Sequence, residues 1–393
     1  VDVSGAKHAV SQALSIAKVS PSISGFSLPS AEKTNPVDGM LDEAILKLSP
    51  DDLLTQGDDI ISEVASLDER AVVIGGGIGI GAEAGVMLSS QGIEASGIST
   101  SHGLGVQVSI DVDDQMTSSW ESSSSRKLIG GIPDCVATAV EWAQKTRNPV
   151  DVQSDAQDTP VIMTSQGISS LFSNIIRPSI LGERMVRGES YWSGKLNEVV
   201  LDNHLTMMDD RRMEGGFGSG SRDAEGVPTS CHTIIENGTL RKMLWSSRDA
   251  AKNVSEGRTD SAESTGSASR GSHMSPPVTG CGDVHLLSSK PPMSLDEMIE
   301  TMGTGYVIHS VMGAHTANPT SGDFSVTSST VLRIEEGEIL GPIKQAGVSG
   351  NLFKALSKEV SLGHSSTRNG VSSTGTNHLS NVLFAQGMRI NPA

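Results

Sequence analysis

The sequence predicts an α+β fold of two domains: an N-terminal part of helices and hairpins over residues 1–155, and a C-terminal mixed, barrel-like β part with flanking helices over residues 156–393. Three observations lead there. The 393 residues are enough for two separate cores. Helical stripes and hairpin punctuation mix along the chain without the strict strand–helix alternation of a doubly wound sheet. The apolar runs are short and broken, none approaching the roughly 20 residues that cross a bilayer, and no signal peptide is expected.

Taken in order, Val10, Ala13, Leu14 and Ala17 make one apolar helical stripe that ends before Pro21. A second helix begins at Ser49, a natural N-cap, with Pro50 in its first turn and "DDLLTQGDDIISEVASL" behind it. Both are expected to pack on a sheet. Residues 71–118 follow, in which Gln91-Gly92 and His102-Gly103 separate short β-type runs. Asp134 is the expected cap of "CVATAVEWAQKT", and the domain boundary is expected near residue 155. In the second part "TIIENGTLRKML" carries Asn237-Gly238, the residue pair of a tight hairpin, and "TVLRIEEGEIL" reads the same way. The low-complexity residues 253–280 are expected to form a long surface loop. Ser294 and Glu297 then spell a capping box closed by Gly303.

The run "AVVIGGGIGIGAEAG" at residues 71–85 invites a phosphate-loop reading, since Gly77, Gly79 and Ala82 satisfy a loose dinucleotide fingerprint. The context opposes it. No amphipathic helix and acidic-ended strand follow, so the glycines are expected to allow sharp turns or close strand packing.

Composition excludes further classes. Twenty-nine basic against forty-six acidic residues give a net charge of −17, which repels phosphate backbones, so no nucleic acid is expected as partner. Cys135, Cys231 and Cys281 are too few and scattered for a disulfide framework, which points to the cytoplasm. Cys231-His232 and Cys281 with His285 offer zinc-type donors at poor spacing, because neighbours in a strand face opposite ways. His309 and His315 lack the register of a helical ligand pair. No G-x-S-x-G elbow supports a serine hydrolase.

The second half carries a resemblance. "RGESYWSGKLNEVV", "DAEGVPTSCHTIIENGTLRKML", "MGTGYVIHSVMGAHTANPTSGDFSVTSSTVLRIEEGEILGPI" and "VSGNLFKAL" resemble, in order and spacing, the TldD/PmbA family, the so-called modulators of DNA gyrase. The match is looser through residues 1–155, where "SSWESSSSR" resembles the family's serine-rich stretch before its interdomain helix. The resemblance also implies strands ahead of the opening helix, so that a segment before Val1 is expected to be missing or replaced.

The family implies two kinds of subunit. The TldD kind resembles a zinc peptidase with an H-E-x-x-x-H helix and a late cysteine ligand, the donors that hold a metal while a glutamate takes the proton of its water. Counting back from "WSGKL" puts Ser173 and Asn174 at the first histidine and the glutamate, and Pro178 at the second histidine. None can do that chemistry. The segment 363–380 contains no cysteine. The resemblance is therefore to the TldE/PmbA kind, which lacks the metal site. It implies no catalytic residue, metal or cofactor in this chain, and zinc in a TldD-like partner. Ile168, Leu171, Phe172, Ile175 and Ile176 independently follow the stripe of a buried helix that Pro178 is expected to stop. Asn318, Ser321, Gly322 and Asp323 are first of all a turn, and by resemblance the candidates for peptide or partner contact. The expected function is a non-catalytic subunit of a cytoplasmic zinc metalloprotease acting on peptides or unfolded proteins. The alternative is a homodimeric peptide-binding or scaffold protein.

Overall fold

A computed structural model describes residues 2–112, 115–153, 158–272, 274–364, 367–372 and 375–392, with backbone alone at 112 and 367–372. The boundary expected near residue 155 lies outside the described residues.

The helix Val3–Val19 is capped by the Asp2 carboxylate, which accepts from Gly5 N at 2.7 Å. Contrary to expectation it is not packed on a sheet among the described residues, and none of its residues is buried. The helix Pro50–Leu67 opens on a capping box between Ser49 and Asp52 and buries Ile60 and Val64. Ala71–Leu88, Glu94–Val112 and Gln115–Ser125 then form a three-stranded antiparallel sheet in chain order. Gln91-Gly92 makes the expected turn, whereas His102-Gly103 lies inside the second strand.

The glycine run is also strand, neither loop nor turn. At Gly76 a Cβ would stand 2.5 Å from the Gly105 carbonyl oxygen, and at Gly105 it would stand 2.5 Å from the Trp120 ring. Close packing requires both glycines. The helix Asp134–Lys145 covers the sheet with Val136, Ala139, Val140 and Ala143 against Val106, Val108 and Ile110. Its N-cap is Pro133, and Asp134 sits in the first turn, where its charge still favours the helix dipole.

The second half is built on two six-stranded mixed sheets. One runs in the order 367–372, 375–379, 283–288, 205–210, 231–236, 239–240; the other in the order 338–343, 331–335, 305–308, 161–163, 382–384, 360–362. A three-stranded sheet joins 323–328, 346–351 and 388–392. None of these sheets closes into a barrel. The expected hairpins turn at Asn237-Gly238 and Glu336-Gly337, all four residues at positive φ. The capping box of Ser294 and Glu297 also forms.

Residues 253–280 depart from a surface loop. The short strands Ala268–Ser269 and Val278–Thr279 pair, and Ser267, Ala268 and Thr279 are buried. The low-complexity stretch hid them because their neighbours are small and polar rather than alternating.

Between the sheets runs the helix Ser165–Leu171, a π turn Phe172–Ile176, and one more turn, Arg177–Ser179. Ile168, Leu171, Phe172, Ile175 and Ile176 are fully buried in the largest core. The helix ends at Ser179, one residue past Pro178, close to the expected stop. The wide π turn just before Pro178 loosens the ladder where the proline ring would meet the carbonyl four residues back and where its N–H is missing.

Candidate functional site

The strand Gln115–Ser125 is the outer strand of its sheet and faces the second half of the molecule. Its Trp120 carbonyl points away from the sheet and accepts from Gln166 Nε2 at 2.8 Å. Backbone groups alternate sides along an antiparallel strand, so the N–H and C=O of Ser118, Ser122 and Ser124 point the same way, toward the helix at 165–179. A cavity of ≈ 700 Å³ lies between them, and Ser173 and Asn174 line it. Two of the three degenerate motif positions therefore face, across a cleft, a strand edge that no other strand pairs with among the described residues and that Gln166 bonds at Trp120.

The chemistry of those positions is settled by their partners. Asn377 Nδ2 donates to Ser173 Oγ at 2.7 Å and to Ser169 Oγ at 3.2 Å. Arg177 Nη1 donates to Asn377 Oδ1 at 3.2 Å and to the Thr376 carbonyl at 3.1 Å, and Nη2 to the carbonyls of Cys281 and Gly282. Asn174 Nδ2 donates back to the Ser170 carbonyl at 2.8 Å. A guanidinium thus stands beside a neutral hydroxyl and two neutral amides. Zinc does not fit such a set, which offers no imidazole, thiolate or carboxylate and already holds a fixed cation. Of the late segment, Ser365, Ser366, Ser373 and Thr374 lie outside the described residues.

The other metal-type residues do not converge. Cys231 is exposed while its neighbour His232 is buried, as strand alternation requires. Burial pushes the Cys231 thiol up to about 11 and the Cys281 thiol to about 12, so neither is a thiolate at neutral pH. His285 stacks on His378 at 4.2 Å. His315 is exposed on a short 3-10 turn, Ala314–Thr316. Among the described residues no three His, Cys, Asp or Glu side chains gather as a metal set.

Asn318, Ser321, Gly322 and Asp323 come together as a closed turn. Asn318 Oδ1 accepts from Thr320 N and Ser321 N, and Asp323 Oδ1 accepts from Asn351 Nδ2 at 2.7 Å. Gly322 has φ +81°, and a Cβ there would stand 2.2 Å from the Phe353 ring. Asn318 and Asp323 are exposed, and none of the four lines the cleft beside Ser173.

Asp283 is fully buried near Arg177's carbonyl partners. Burial pushes its carboxyl up, but the His378 imidazole, the Thr376 hydroxyl and Gly218 N outweigh this and hold it at about 2. Its folded value lies below the unfolded 3.8, so its stabilisation is present above about pH 4 and is lost as pH falls toward 2. Asp283→Asn is expected to cost about 2 kcal/mol at neutral pH, a difference that disappears near pH 2. Thermal unfolding of both proteins across that range checks it.

One contact between the two halves, on the other side of the outer strand, left no mark in the sequence. Glu121 Oε1 meets His309 Nε2 at 2.5 Å, both side chains buried, joining the outer strand to the residue after Gly305–Ile308. Trp142 stacks on the same imidazole at 4.0 Å, and Thr164 Oγ1 lies 3.1 Å from its Nδ1. Trp142 also enters a cluster with Ile162, Met298, Val307 and Leu332. These contacts clasp the two halves together on the face of the outer strand opposite the cleft.

No helix among the described residues is long and apolar enough to cross a membrane.

Known proteins share this architecture. The TldE structure from Thermococcus kodakarensis superposes with a TM-score of 0.88 at 25% identity, covering 100% of this chain and 85% of that one. An uncharacterized protein of Methanocaldococcus jannaschii is 27% identical over 82% of this chain and 72% of its own length. A Haemophilus influenzae protein named metalloprotease PmbA homolog is 25% identical over 90% of this chain and 74% of its own. A family model described as the PmbA/TldA metallopeptidase C-terminal domain matches residues 156–386, the half that carries both large sheets and the helix of Ser173. On that match, the fold it accompanies and the motifs quoted above, the chain belongs to the PmbA/TldD family, whose relatives carry metalloprotease names.

Proposed function

We propose that this chain is the non-catalytic, TldE/PmbA-type subunit of a two-protein zinc peptidase, and that it holds extended peptide while a TldD-like partner carries the metal. One observation supports the reading above others: a cleft opens between an outer strand edge, unpaired with another strand among the described residues, and the helix on which Ser173 and Asn174 occupy the expected donor positions. An edge strand with outward N–H and C=O groups is a template for peptide strand addition, which needs no side-chain chemistry from the protein. Zinc belongs to the partner in this reading. The exposed turn of Asn318, Ser321, Gly322 and Asp323 is proposed as partner contact, since it stands clear of the cleft.

The isolated chain is expected to bind no stoichiometric zinc and to leave unstructured peptides intact. Elemental analysis with a peptidase assay tests both. One tightly held zinc per chain, with chelator-sensitive cleavage, would overturn the proposal. The stand-alone homodimer is the second reading; a chain that stays a dimer with itself and ignores a TldD-type subunit in gel filtration would favour it.

A further inference from the structure

Among the described residues, the lining of the cleft beside Ser173 is uncharged in a strongly charged chain. Sixteen described residues line it, nine of them serine and none acidic, basic or histidine, although 19% of the chain is charged and its net charge is −17. The neutrality is local. A cavity of ≈ 670 Å³ on the other side of the same strand carries Glu121, Asp134, Glu141, Lys145 and His309.

An ionised side chain drawn into the cleft would lose water and meet no counter-ion among the described lining residues, since the Arg177 guanidinium behind Asn377 is already held by Asn377 and three carbonyls, which disfavours its entry. A serine hydroxyl, by contrast, both donates and accepts, so Ser118, Ser122 and Ser124 on one wall and Ser170 and Ser173 on the other can satisfy amides and hydroxyls of either polarity. The walls are close, since the single Gln166 side chain reaches from the helix to the Trp120 carbonyl. Trp120, 48% exposed, and Met312, 57% exposed, add apolar surface, so the selection is against charge and bulk rather than for polarity alone.

We propose that this cleft selects an extended, uncharged peptide segment of small residues, seated along Ser118–Ser124 by strand addition and read from the facing helix by Ser170, Ser173 and Asn174. The proposal rests on the peptide-holding role above and names its substrate class.

Three dansyl-labelled, end-blocked decapeptides test it on the intact chain by fluorescence anisotropy: one of Gly, Ala, Ser and Asn, one with two of these replaced by Glu, and one with two replaced by Lys. The neutral peptide is expected to bind at least tenfold more tightly than either charged one, with little salt dependence. Ser122→Asp is expected to reverse the order in favour of the Lys peptide, while Ser122→Ala, with an unchanged melting temperature, keeps the neutral preference. Equal binding of all three, or tightest binding of the Lys peptide to the unsubstituted chain with steep weakening in salt, overturns the selectivity but leaves peptide holding intact. If no peptide binds, or only a neutral oligosaccharide such as maltohexaose does, the peptide-holding role itself is wrong.

Discussion

Peptide hydrolysis is expected to appear when this chain is mixed with a zinc-bearing TldD-type subunit, and to fall at least about a hundredfold when either is left out. General acid–base catalysis alone contributes about 10²–10⁴-fold, and a metal-activated water adds to it. This chain has neither at the motif positions. Ser173→His is expected to add no activity and no zinc, because Asn174 is no base, Pro178 no donor, and the Arg177 guanidinium already faces Asn377. A stable pair should bury at least about 1,000 Å² and survive gel filtration. Steady-state rates with each subunit alone and with both decide the matter. A TldD-type subunit that works equally well by itself would count against this chain's role.

His309→Ala is expected to destabilise the fold by about 3–5 kcal/mol, the loss seen when one partner of a buried pair is removed and the other left unpaired. The buried Glu121 side chain would lose its partner, and Trp142 and Thr164 would lose their contacts with the ring. Trp142→Ala should cost a similar amount through the void left among Ile162, Val307 and Leu332. Replacing Glu121 and His309 together by leucine should recover much of the loss. Calorimetry of the three variants checks this. A loss below about 1 kcal/mol for His309→Ala would mean that the clasp does not hold the two halves together.

What the sequence discloses here is local. Ser49, and Ser294 with Glu297, announce their helices because a cap is a contact over three residues, and Asn237-Gly238 announces its hairpin because its backbone angles are intrinsic to those residues. The buried stripe from Ile168 to Ile176 was legible by period, but the π turn inside it was not, since it answers to Pro178 and to packing on both sides. The glycine run, expected to allow sharp turns or close strand packing, serves the second, and the choice was not legible for a related reason. Glycine reads locally as a breaker, yet Gly76 and Gly105 are needed by the neighbouring strand and by Trp120, respectively. The motif positions Ser173 and Asn174 were found from resemblance. Their partner Asn377 lies 204 residues beyond Ser173, and the Glu121–His309 clasp spans 188, so no short pattern could reveal either.

Hydrogen exchange of the isolated chain with and without the neutral decapeptide tests the central claim most directly, because it reads the strand edge and the intact peptide in one experiment. A retained cleft without its own chemistry predicts slowed exchange in Gln115–Ser125, strongest at the outward amides of Ser118, Ser122 and Ser124, with the peptide recovered whole. Protection confined to other segments, or a cleaved peptide, would contradict it.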